Sequence, residues 1–238
     1  MQMAERELSL TPRAEAVRES RPVITPIHFT LEEIIGHFRE GMESVKLQYI
    51  VADSLLNQGN ETGGKTIWRS QIVFAEGLLD YFIHEMSKYC LFQMFTGQWE
   101  KSMKYDNLMI PMSKVESAIN ANNSSEWFFS YLNDRFSRDV FLAAETMRDQ
   151  LNLIGINHAG VMTAVFPMEK EQDSIKEGLR IIQEMFQRRN AIVHQNDRSH
   201  ATAEQNDISK EYVEDYINTV EYIANAIWDI AVAKNQED

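Results

Sequence analysis

An arginine and a histidine lie five positions apart near the end of a segment with helical apolar spacing. Arg189 is followed directly by Asn190, and His194 comes four positions after that asparagine. Histidine titrates near neutral pH, so His194 can accept or donate a proton. The planar guanidinium of Arg189 suits a phosphate group that gains charge in a transition state, and Asn190 can hold a phosphate or orient the histidine.

The position of Arg189 on its helix is a second reason to suspect a site. It shares one helical face with four apolar residues: Leu179, Ile182, Phe186 and Val193. A charged side chain among core positions is costly unless it has a partner or faces a cleft. In the simplest alternative, Arg189 and His194 only bond backbone carbonyls or acidic neighbours.

On a regular helix, five positions correspond to about 140° of rotation and about 7.5 Å of rise. Arg189 and His194 would therefore point in different directions. Either the helix is interrupted, with Asn190 capping a new segment, or the two residues meet across a subunit boundary.

The rest of the chain predicts the helices that position this segment. Only 10 glycines and 5 prolines occur in 238 residues, which favours long helices. Thr30 and Glu33 form a capping-box pattern at the start of the first helix. Five to seven helices are expected in total, with an irregular stretch over 155–173, and the main segments cover about 31–57, 65–93, 113–121, 126–153 with a bend near Ser137, 173–194, and 209 onward.

Apolar spacing begins only after residue 26, and Pro12, Pro22 and Pro26 lie before that point. We expect residues 1–26 to be a flexible N-terminal arm and residues 27–238 to form a single helical domain. The last helix carries apolar residues at alternating spacings of three and four. This pattern is typical of a bundle helix and is also compatible with a dimer seam.

The formal net charge of −13 argues against a broad nucleic-acid-binding surface, although a small basic pocket remains compatible with it. The one cysteine, Cys90, cannot form an intrachain disulfide and indicates a buried thiol in a reducing compartment. Residues 1–20 lack the apolar stretch of a secretory signal, and no apolar run approaches the ~20 residues that cross a bilayer. We therefore expect a cytoplasmic protein without a membrane partner.

The segment from Arg189 to Asp197, Arg-Asn-Ala-Ile-Val-His-Gln-Asn-Asp, resembles the signature of HEPN ribonucleases, and in particular the RiboL-PSP-HEPN branch. The stretch 76–85 and the start of the last helix at 208–213 are also similar to that branch. The resemblance extends over about 30–234. It implies an all-α, HEPN-type bundle with a four-helix core and extra helices.

The resemblance also implies a homodimer in which two copies of the motif face each other across a composite site. The implied activity is RNA cleavage without a metal or cofactor, leaving a cyclic phosphate. Arg189, Asn190 and His194 are the expected catalytic residues. HEPN domains without nuclease activity act as binding modules.

Other charged residues are predicted to assist this site. Glu76, Asp80 and His84 share a helix face and could support the Arg189 site, form a solvated face or, as the least favoured alternative, bind a divalent ion. Arg188 and Arg198 flank the motif and are candidate RNA-binding residues, although they could simply be exposed charges.

Two functions therefore compete. The first is a metal-independent endoribonuclease, acting as a toxin or defence effector and controlled by an antitoxin or regulatory protein. The second is a non-catalytic HEPN module that binds a nucleotide or a partner protein. A plain helical scaffold would explain the bundle but not an arginine on its apolar face.

Overall fold

The computed structural model describes residues 27–120 and 125–237, so the arm expected over residues 1–26 lies outside the described residues. Within these ranges all regular elements are helical, which confirms the all-α class. The α-helices are α1 (Leu31–Asn57), α2 (Glu61–Thr96), α3 (Met112–Asn120), α4 (Glu126–Phe136), α5 (Ala144–Leu153), α6 (His158–Val165), α7 (Glu171–Gln195) and α8 (Lys210–Glu237), with a 3-10 turn at Tyr105–Asn107.

The first helix begins as its sequence predicts. The Thr30 side chain accepts from the backbone N–H of Glu33, and the Glu33 carboxylate accepts from the backbone N–H of Thr30, so both halves of the capping box are present. A three-residue turn then leads into α2, where the Asn60 side chain caps the helix. The second helix is longer at both ends than the predicted 65–93.

The long helix α2 is central to the bundle and contacts α1, α4, α7 and α8. One hydrophobic cluster contains buried residues from α1, α2, α4, α5, α6, α7 and α8. Burial of this cluster is the main source of stability for such a bundle. The assignment of residues 27–238 to one domain stays a prediction.

The segment predicted as one bent helix over 126–153 is two helices, α4 and α5, separated by residues 137–143. Val140, which follows Phe136 at helical spacing in the sequence, lies in this break and is 46% exposed. The backbone N–H of Phe141 bonds the Asp80 side chain of α2, and the Phe141 and Leu142 side chains are buried. A tertiary contact with α2 therefore replaces the helix at this point.

The prediction of an irregular stretch over 155–173 is also wrong, because α6 lies within it. The Asn157 side chain caps this helix by accepting from the backbone N–H groups of Ala159 and Gly160. The helix packs against α7 and α8. At Gly178 of α7 a side chain would collide with Met162 and Phe166, so glycine permits this close approach.

Candidate functional site

The three motif residues lie in the last turns of α7, which runs without interruption to Gln195. Arg189 and Asn190 are half-buried, whereas His194 is exposed. The interruption considered at Asn190 is therefore absent. Because they are five positions apart on one helix, Arg189 and His194 of one chain point about 140° apart.

Most N–H donors of the Arg189 guanidinium have no hydrogen-bond partner in the described part of the chain. Its Nη1 donates to the Asn190 side-chain oxygen at 3.0 Å, and its Nε is buried without a hydrogen-bond partner in the described part of the chain. Within the described residues, the five N–H donors of this guanidinium therefore share one hydrogen-bond partner, Asn190. Such an arginine remains able to bind an anion.

A buried carboxyl group lies close to this arginine. Glu76 of α2 is 2% exposed, and one of its oxygens is hydrogen-bonded to the Tyr216 hydroxyl of α8. Burial raises the pKa of Glu76 to about 7, while the hydrogen bond from Tyr216 and the positive charge of Arg189 oppose the rise, and the charge of Asp80 adds to it. Burial and the same carboxyl raise the pKa of Tyr216 well above its usual value.

Asp80 and His84, the other two predicted supporting residues, hold the segment between α4 and α5. Asp80 Oδ1 accepts from the backbone N–H of Phe141 at 2.9 Å, and His84 Nε2 lies 3.1 Å from the carbonyl oxygen of Asp139. The imidazole and the Asp80 carboxylate are 3.8 Å apart. Of these two residues, only Asp80 acts electrostatically on Glu76, the carboxyl group close to Arg189.

Sequence reasoning missed the central residue of the segment after α7. Asp197 is fully buried, and its Oδ2 accepts from Arg69 Nε at 2.7 Å and from Arg188 Nη2 at 2.9 Å. Its other oxygen accepts from the Asn206 side chain at 3.0 Å. The polar Asn-Asp pair at 196–197 was the available signal, because both residues adopt positive φ here and these two types tolerate it.

Each of the two predicted RNA-binding arginines already makes hydrogen bonds within the protein. Besides its bond to Asp197, Arg188 Nη2 donates to the carbonyl oxygen of Asp207, and Arg188 Cζ lies 5.8 Å from the centre of the Tyr212 ring. Arg188 lines a hollow of about 320 Å³ with Tyr212 and residues 207–209. Arg198 is exposed, and its Nη1 donates to the carbonyl oxygen of Ala203.

Apolar surface lies beside the motif. Phe74 of α2 is 54% exposed and Val193 of α7 is 45% exposed. The two side chains line a hollow of about 270 Å³ between α2 and the end of α7, together with Ile192. We call Phe74, Ile192 and Val193 the apolar patch. Exposed apolar surface of this kind is typical of contact sites for other molecules.

Residues 27–120 and 125–237 contain neither a cluster of metal ligands nor a membrane-spanning helix. No three His, Cys, Asp or Glu side chains lie close enough together there to hold a metal ion. None of the helices in these ranges is both long and apolar enough to pass through a bilayer.

The comparisons with known proteins identify a family. The family model described as RiboL-PSP-HEPN matches residues 46–233, which is well over half of the 238-residue chain and includes Arg189, Asn190 and His194. No curated protein and no solved structure gave a match.

Proposed function

Because the chain belongs to the RiboL-PSP-HEPN family, we propose that it is a metal-independent endoribonuclease whose site is completed in a homodimer. The observation that carries the proposal is the Arg189 guanidinium, held by one bond to Asn190, on the same helix end as the exposed His194. Arg189, Asn190 and His194 are the proposed catalytic residues.

The chemistry follows from these side chains. The 2′-oxygen of a ribose attacks the adjacent phosphorus, and the bond from phosphorus to the 5′-oxygen breaks, which leaves a 2′,3′-cyclic phosphate and a 5′-hydroxyl. His194 accepts the proton of the attacking 2′-hydroxyl and returns a proton to the leaving 5′-oxygen, so the imidazole ends the reaction in its starting state. Arg189 stabilises the charge that develops on the phosphate, and Asn190 fixes the direction of the guanidinium.

The geometry of α7 supports a composite site. One chain presents Arg189 and His194 in directions about 140° apart, so a single phosphate cannot readily contact both. If two copies pack through the apolar patch, Arg189 of one copy can lie opposite His194 of the other. Glu76, Asp80 and His84 then support the site from α2, and Arg188 and Arg198 extend it toward RNA.

The biological role that fits this site is a toxin or defence effector. A regulatory protein or antitoxin would be its natural partner, because an unrestrained endoribonuclease harms the cell that makes it. We place the protein in the cytoplasm, where RNA is available and a lone buried thiol such as Cys90 stays reduced.

The competing proposal is a non-catalytic module that binds a nucleotide or a partner protein. Two observations favour it: the net charge of −13, and the absence of a hydrogen-bond partner for His194 within the described ranges. A base held by a third group is the usual arrangement in acid–base catalysis, and one chain does not provide it here.

Cleavage of RNA by the purified protein tests the proposal directly. We expect single-stranded RNA to be cut to products with cyclic phosphate ends, and we expect the rate to be unchanged by EDTA, since the proposed steps use only Arg189, Asn190 and His194. The assay follows a labelled oligonucleotide with and without chelator. Activity that is lost in EDTA and restored by a divalent ion would move the assignment to Glu76, Asp80 and His84.

Assembly is tested with a matched pair of substitutions. A carboxylate in the apolar patch, Val193→Glu, should convert a dimer to a monomer, because burying an unpaired charge in an interface is costly. Val140→Glu is the control, since Val140 is 46% exposed against 45% for Val193 and lies beside a different hollow. Light scattering at micromolar concentration measures the mass. A wild-type monomer, or a dimer that both variants retain, would contradict the proposed interface.

A further inference from the structure

Among the buried polar atoms near the proposed site that lack partners in the described structure, two belong to groups that interact with each other. One is Glu76 Oε2 on α2 and the other is Arg189 Nε on α7. The two groups are close enough for the positive charge of Arg189 to act on the Glu76 carboxyl, yet no hydrogen bond or ion pair joins them. A buried carboxylate would normally bond such a donor, because leaving either group unpaired is unfavourable.

The protonation state of Glu76 explains why Glu76 and Arg189 do not bond, and the two contacts of the Tyr216 hydroxyl bear on that state. Its hydroxyl contacts both Glu76 Oε1 and the carbonyl oxygen of Met185, the latter at 3.0 Å. A hydroxyl has one proton, and a carbonyl oxygen can only accept. When Glu76 is ionised, Tyr216 donates to it and leaves the Met185 carbonyl at most a share of the same proton. When Glu76 is neutral, its own proton can go to Tyr216, and Tyr216 can then donate to Met185. A neutral Glu76 therefore satisfies both contacts fully, and a neutral carboxyl does not attract a guanidinium strongly.

Ionisation of Glu76 would rearrange these bonds. The carboxylate would accept the Tyr216 proton, the Met185 carbonyl would lose its donor, and a buried negative charge would face the unpaired Nε of Arg189. In the described part of the chain, the Arg189 side chain is held by one hydrogen bond, to Asn190. Its flexible side chain can therefore turn inward, toward Glu76.

We propose that Glu76 and Tyr216 are positioning residues that set the direction of Arg189: a neutral Glu76 leaves the guanidinium on Asn190 and free for phosphate, and an ionised Glu76 draws it inward through Nε. This inference rests on the proposed function where it makes Arg189 the phosphate ligand. The inward movement itself is a property of the free protein.

The charges around Glu76 determine the pH at which the change occurs. Burial raises the pKa of Glu76 to about 7, opposed by Tyr216 and by Arg189, with Asp80 adding to the rise. Tyr212 of α8 also interacts with this carboxyl. In the described ranges, none of the groups that act on it comes from α1 or α4. Glu76 is neutral below this pH and ionised above it, so phosphate binding by Arg189 should weaken as the pH rises through about 7.

The test follows the Arg189 Nε–H signal by NMR in protein labelled with ¹⁵N-arginine, between about pH 5.5 and 8.5. Arg189→Lys identifies the signal by removing it. In the wild type we expect the signal to shift with a midpoint near 7, as Nε bonds the carboxylate. In Glu76→Gln it should not shift, because the amide stays neutral and can still donate to Tyr216.

Glu85→Gln is the matched control, since Glu85 is another buried carboxylate of α2 but pairs with Lys88 at 2.7 Å. That variant should keep the wild-type shift. An Arg189 signal in the wild type that does not change with pH would overturn the proposal, as would a shift that persists unchanged in Glu76→Gln.

RNA binding separates this inference from the proposed function. The probe is a 2′-O-methyl RNA oligonucleotide, and all variants carry His194→Ala, which removes the titration of that imidazole. We expect affinity to fall on the order of tenfold from pH 6 to pH 8 and to stay level when Glu76→Gln is added. If the NMR shift occurs but the probe binds at no pH, the RNA function is wrong and the Glu76–Arg189 movement stands.

Discussion

We expect His194→Ala to lower the rate of RNA cleavage by about 10²- to 10⁴-fold, the usual contribution of a general acid or base. The reason is that His194 is the proposed proton carrier, and the alanine side chain cannot replace it. The fold should survive, since His194 is exposed near the end of α7 and makes no hydrogen bond within the described part of the chain. Rates and melting curves are measured together.

His200→Ala is the matched control, because His200 is also exposed and follows the same helix by a few residues. It should cleave at the wild-type rate. A folded His194→Ala protein that cleaves as fast as the wild type would refute the catalytic assignment, and the binding-module function would then replace it.

Mixing two inactive variants extends this test to the composite site. Arg189→Ala should also be inactive, with a greater risk to stability because this position is half-buried. In a dimer of one Arg189→Ala and one His194→Ala chain, one site holds both lesions and the other holds none. Random exchange should therefore restore roughly a quarter of wild-type activity if each site takes Arg189 and His194 from different chains. No recovery after verified exchange would contradict that sharing.

The largest effect on stability is expected at Asp197. Removing its carboxylate by Asp197→Ala leaves the guanidinium of Arg69, 7% exposed, without its charged partner, and also releases Arg188. Breaking a buried pair by deleting one member typically costs about 3–5 kcal/mol. Alanine also tolerates the positive φ of 56° at this position poorly. The free energy of unfolding in urea should fall accordingly.

Two variants separate the causes of this loss. Asp197→Asn keeps the side-chain size and the tolerance of positive φ, so its loss should be smaller and should report the missing charge. Asp149→Ala removes the Asp149–Lys104 pair, whose carboxylate side is 58% exposed, and should cost no more than about 1 kcal/mol. If Asp197→Ala is no less stable than Asp149→Ala, Asp197 does not hold this loop in place.

Local patterns in the sequence determined much of the architecture. The capping box at Thr30 and Glu33, the turn at 58–60 and the start of the last helix follow from nearest neighbours along the chain, and the structure has each of them. The family resemblance was visible in the same way, since its specific part is nine consecutive residues, 189–197. Patterns of this length reflect helix geometry and capping, which depend on residues a few positions apart.

Only the tertiary structure decided the surroundings of the candidate site. The bond between Tyr216 and Glu76 spans 140 positions, and the pair of Arg69 with Asp197 spans 128. No periodicity predicts such partners, because they depend on how α2, α7 and α8 pack. For the same reason α6 was not predicted and the helix at 126–153 was not divided. The helix α6 packs against α7 and α8, and Asp80 of α2 holds the break between α4 and α5, so both depend on distant contacts. Apolar spacing reports which face of a helix is buried, and packing decides which charged groups meet there.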